Sequence, residues 1–95
     1  MKINNALDLY NFVRSHGLIN IDPDVSAMSQ CVEEFNRMCA CDPAAAKNAK
    51  LNKCRILYIN FIHKSQQYKN QLLSKTPDNV LSFNIDGQII TTLTR

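Results

Sequence analysis

DPAAAKNAKLNKCRILYINFIHKSQQYKNQLLSKTP, residues 42–77, has neither Gly nor Pro between Pro43 and Pro77. Its start carries the signature of a helix: an acid fit to cap, then the proline favoured at the first helical position. Its end is marked by Thr76, which Pro77 pushes out of helical geometry. The stretch therefore predicts one long helix from Pro43 to about Lys75. At 1.5 Å per residue such a helix spans roughly 50 Å, whereas a compact domain of this size is only about 30 Å across. The helix outruns its own domain, and the rest of the chain must be placed against it.

Upstream, Asp22-Pro23 repeats the start signal, with Asp24 in the positive first turn. Val25, Met28, Val32, Phe35 and Cys39 then recur every three or four positions, so a second helix of about 23–40 buries one face. Asp42-Pro43 closes it and opens the third, making an antiparallel helical hairpin. Earlier still, Ala6, Leu9, Tyr10 and Val13 lie at helical spacing and stop at Gly17, which predicts a first helix over about 3–16. Downstream, Leu81, Phe83 and Ile85 alternate up to Asp86-Gly87, with Ile90 continuing the same face. Asp-Gly supplies the two positive φ angles of a type I′ turn, so residues 80–94 read as a β-hairpin. The expected fold class is mainly α (α+β): an N-terminal helix, a long antiparallel helical hairpin and a C-terminal two-stranded β-hairpin, all in a single domain over 1–95.

Turning the third helix at 100° per residue places Leu51, Cys54, Leu57, Tyr58, Phe61, Tyr68 and Leu72 on one stripe, the expected core face. Ile62 sits at the edge of this stripe, while Ile59 and especially Ile56 point well away, giving the middle of the helix a second apolar flank that one helical partner cannot cover. The expectation is self-association, a homodimer or higher oligomer meeting along the Ile56, Ile59, Ile62 row. The competing arrangement folds the first helix or the β-hairpin over that row within one chain.

Charge is divided between the halves: residues 1–42 hold six acids against three basic residues, while 43–77 hold seven basic residues and no acid. Only Lys53, Lys64 and Lys75 share a line along the third helix, roughly 16 Å apart, a thin track for nucleic-acid phosphates or an acidic protein partner beside the plainer reading of a solvated face partly balanced by the acidic second helix. In its order of three helices and a hairpin the chain resembles winged-helix DNA-binding domains. That resemblance implies a nucleic-acid-binding protein using the basic third helix, although the hairpin tip carries Asp86 where a wing would carry a basic residue.

The remaining chemistry is sparse. Cys31, Cys39, Cys41 and Cys54 lack the paired knuckle spacing of a zinc site, and the helical hairpin puts Cys31 level with Cys54 as small buried neighbours. His16 and His63 have no carboxylate or nucleophile at a diagnostic spacing. Glu33 and Glu34 are sequence neighbours that cannot converge on a substrate, and two glycines make no phosphate loop. No catalytic residue, metal ligand or cofactor is expected. The 45% apolar and 20% charged composition is that of a folded globular chain. No apolar run approaches the roughly 20 residues needed to span a bilayer, and no signal-peptide pattern follows MKINNALD. Asn, Ile and Lys usage suggests an AT-rich genome such as a phage's. These features set the expectation of a small non-enzymatic structural or interaction protein, or an accessory subunit, working in the cytoplasm or within a virus particle.

Overall fold

Asp22 acts as its place before Pro23 requires: its carboxylate accepts the Asp24 N–H at 2.8 Å and caps the helix that follows. In the computed structural model, which describes residues 1–38 and 41–95, the elements run β1 (Lys2–Ile3), α1 (Ala6–Ser15), α2 (Pro23–Arg37), α3 (Ala44–Lys64), a 3₁₀ turn (Ser65–Tyr68), α4 (Lys69–Leu73), β2 (Val80–Ile85) and β3 (Gln88–Thr94). The chain is mainly helical with a small β part. The expected end of the second helix at Ala40, and Cys39 on its apolar face, lie outside the described residues.

α2 and α3 form the antiparallel hairpin, and its register is read from side-chain pairs. Asp22 meets Lys64, and Glu34 meets Lys50. Between them, the Cys31 thiol reaches the Lys50 carbonyl, which lies one helical turn before Cys54. Each step along α2 is matched by a step back along α3. Asp42 does not cap α3; that helix starts at Ala44, preceded by Pro43 with no side-chain cap.

The single long helix of residues 43–75 is corrected by the structure: α3 ends at Lys64. The break needs neither Gly nor Pro. Buried Ser65 turns back on Ile62, whose carbonyl accepts both the Ser65 N–H and, at 2.8 Å, its hydroxyl. A serine bonding back in this way competes with the helical ladder and favours the tighter turn. Tyr68 then stacks on Phe61 with ring centroids 5.8 Å apart and donates its hydroxyl to Asp22. At 1.5 Å per residue α3 is about 31 Å long, which fits within a molecule measuring 44 × 27 × 20 Å. After the bend α4 buries both Leu72 and Leu73, and the buried Thr76 hydroxyl caps the Leu73 carbonyl at 3.0 Å.

The predicted first helix loses its opening residues to the sheet. β1 pairs in parallel with β2, Ile3 beside Phe83, and β2 pairs antiparallel with β3, giving the order β1-β2-β3. Asn5 caps α1 by accepting the Asp8 N–H at 2.9 Å. The Asp86-Gly87 turn has the two positive φ angles that its sequence calls for, 53° and 87°. Helices and sheet share one core, in which Leu9, Met28, Tyr58, Phe61, Leu72, Leu81, Phe83 and Leu93 are all buried. Tyr58 ties the two layers together. Its hydroxyl lies 2.6 Å from the Asn84 carbonyl and 3.2 Å from that of Ile3, at the junction of β1 and β2. Burial pushes its phenol up to about 12, against a smaller opposing effect of the Asn84 hydrogen bond.

Candidate interaction surface

β3 is the outer strand of the sheet, and no described strand pairs with its far side. Gln88–Thr94 contains no charge and no proline, two of the devices by which edge strands resist pairing with another chain, although it carries a third, a β-bulge. The opposite edge is different: β1 is only two residues long and carries exposed Lys2.

A bulge decides what β3 displays. Phe83 pairs with Thr91 and Asn84 with Ile89, so Ile90 is the extra residue. In unbroken register Ile90 would sit opposite Phe83 on the inner face; instead it is 41% exposed, and Ile89 is 56% exposed. This corrects the expectation that Ile90 joins the core face. Leu93, opposite Leu81, supplies the inward apolar contact instead. The hairpin tip is held against α3 by Asp86 accepting from Arg55 at 2.6 Å, an ion pair in which both side chains are well exposed.

The predicted Ile56, Ile59, Ile62 row is divided. Ile56 is 50% exposed, Ile59 is half-buried against the core, and Ile62, at 2% exposed, belongs to the chain's own interior. Rotation at 100° per residue already set Ile62 at the edge of the core stripe, and its burial puts it within that stripe. Leu51 moves the other way. It was expected in the core stripe but is 51% exposed, beside a groove of about 350 Å³ over Tyr58 between the start of α1, α3 and the hairpin tip.

Of the three aligned lysines, one is already paired with acids. Lys64 is engaged at 2.9 Å by Asp22 and at 2.7 Å by Asp24. Lys53 is exposed on α3, and Lys75 is exposed beyond α4, on the far side of the 3₁₀ turn. Hydrogen bonds to Asp24 and Asp22 hold the Lys64 ammonium above its ordinary range. Burial pushes the Asp22 carboxyl up, but hydrogen bonds from Tyr68, Lys64 and the Asp24 amide outweigh it and hold the group below 3.8. This cluster fastens the start of α2 to the end of α3.

The ring of His16 packs on Phe12 at 4.9 Å, and His63 is exposed. Among the described residues no group of three His, Cys, Asp or Glu side chains is placed to hold a metal ion, and no helix is long and apolar enough to cross a membrane. Reading the sequence missed Ile89. Its signal was the adjacent pair Ile89-Ile90, because strict alternation can turn only one of two neighbours inward. No protein-family model, curated protein or solved structure matches this chain.

Proposed function

We propose that this chain is a small non-enzymatic interaction protein that acts by self-association, two copies pairing antiparallel along β3. The observation that carries this reading is the uncharged outer edge of β3 with Ile89 and Ile90 exposed on it. Antiparallel pairing of identical strands is self-complementary about a twofold axis, so each copy offers what the other requires. The product is a six-stranded sheet ending on both sides in β1, and Lys2 on that short edge discourages further growth. Exposed β-branched side chains at Ile89 and Ile90 are suited to cross-strand contacts in such a sheet.

Light scattering on the purified chain tests this reading with two variants. Ile89→Lys/Ile90→Lys adds charge to the edge at side chains already exposed, so it leaves the fold intact and is expected to yield monomer at concentrations where the parent chain is a dimer. Ile56→Lys is expected to leave the dimer in place. A parent chain that stays monomeric at high micromolar concentration overturns self-association. Dissociation by Ile56→Lys alone moves the interface to α3.

A further inference from the structure

The geometry points to Cys31 and Cys54 as a dithiol that hydrogen peroxide closes to an intramolecular disulfide, stapling α2 to α3. Three observations carry it. Both thiols are free and buried in the same core cluster, one on each helix of the hairpin. The register set by Asp22 with Lys64 and Glu34 with Lys50 brings Cys31 level with Cys54. The Cys31 thiol sits 3.6 Å from the Lys50 carbonyl, the acceptor that helical geometry assigns to the Cys54 N–H. Closing the pair therefore joins neighbours across an interface that already exists.

Order within the pair follows from access. Both thiols border clefts, Cys54 one of about 80 Å³ and Cys31 the wider one, about 140 Å³, shared with Ala27, Gln30, Glu34 and Lys53 and roomier for a peroxide molecule. Cys54 is pushed up to about 12, first by burial and then by its hydrogen bond with Cys31, so its thiolate is scarce. Cys31 is thus the sulfur that reacts first. Its thiolate attacks one peroxide oxygen; the S–O bond forms, the O–O bond breaks and hydroxide leaves, so sulfur is oxidised by two electrons to sulfenic acid. The Cys54 sulfur then attacks the Cys31 sulfur, the S–S bond forms, and the S–O bond breaks with water leaving, its second proton coming from the Cys54 thiol. Two thiols and one peroxide give one disulfide and two waters. The staple lies between the helices and does not depend on pairing along β3.

The test is one equivalent of hydrogen peroxide added to the reduced chain carrying Cys39→Ser and Cys41→Ser, so that only this pair can react. The expected result is a mass lower by about 2 Da and a linked Cys31–Cys54 peptide in a non-reducing digest. The folding equilibrium in urea should tighten by about 300-fold, the chain-entropy value for a closed loop of about 24 residues. Dithiothreitol should reverse all three changes. Adding Cys54→Ser should stop the reaction at a Cys31 sulfenic acid that dimedone traps. Oxygen addition without linkage, covalent dimers, two unreacted thiols after prolonged exposure, or a linked chain no more stable than the reduced one each overturns the proposal. Should the double serine variant fail to fold, the same digest of the unsubstituted chain identifies which cysteines are joined.

Discussion

Replacing Asp22 tests whether the bend after α3 is held by long-range contacts. Asp22 is buried and has three partners: the Asp24 N–H at 2.8 Å, the Tyr68 hydroxyl and the Lys64 ammonium. Asp22→Asn preserves a side-chain oxygen for the cap and removes the charge; Asp22→Ala removes both. A cap contributes about 1 kcal/mol, and hydrogen bonding to a charged group about 1.5–3 kcal/mol. The expected losses are thus about 2 kcal/mol for Asp22→Asn and about 3 kcal/mol for Asp22→Ala. At roughly 4–8 °C per kcal/mol for a domain of this size, Asp22→Asn should lower Tm by about 8–16 °C at neutral pH. The sign with pH follows from the depressed carboxyl. A group whose folded value lies below its unfolded one stabilises the fold above the unfolded value and loses that contribution as pH falls through the folded value. The gap between parent and Asp22→Asn should therefore be full at pH 7, begin to close near the ordinary 3.8, and vanish in stronger acid. Thermal unfolding followed by circular dichroism across that range reads it directly. An unchanged Tm for Asp22→Asn at pH 7, or a gap that persists in strong acid, refutes the reasoning.

Two further outcomes follow from the same architecture. Leu73→Ala should cost about 2–5 kcal/mol, as for a buried leucine, whereas Leu51→Ala should change urea stability by less than about 1 kcal/mol; the reverse ranking would mean that the long straight helix forms after all. Tyr58→Phe removes the hydroxyl that joins the helices to β1 and β2 and should cost about 1–2 kcal/mol, with hydrogen exchange of the Ile3 and Phe83 amides accelerating more than that of α2; uniform protection loss would show that Tyr58 does not hold the sheet in particular.

The parts of the fold legible from sequence were those set by near neighbours. Asp22-Pro23 starts a helix through contacts within two residues, and Asp86-Gly87 makes its turn through two backbone angles. What could not be read depends on partners far along the chain. Ser65 looks like any polar helical residue until Tyr68 is seen bonded to Asp22, 46 positions away. Ile3 fits the spacing of the first helix, yet it pairs beside Phe83, and no local pattern announces a strand that short. The candidate surface fell between these cases. Ile56 is exposed as its outward flank suggests, Ile62 at the edge of the core stripe turns out to lie within it, and Ile90 was misplaced because its direction depends on the bulge.

The bulge and the bend solve the same problem in different elements. The stretch from 43 to 75 carries more apolar side chains than one straight helix can bury against α2, and β3 carries two adjacent isoleucines where alternation admits one. In the helical half, the chain gives up the continuous α-helix: after the 3₁₀ turn at Ser65, neighbouring Leu72 and Leu73 are both buried. In the sheet, the extra residue at Ile90 restores Leu93 to the core opposite Leu81 but leaves both isoleucines outside. The first adjustment consumes apolar surface and the second displays it. That asymmetry is the physical reason for proposing self-association at the edge of β3 rather than at the end of α3.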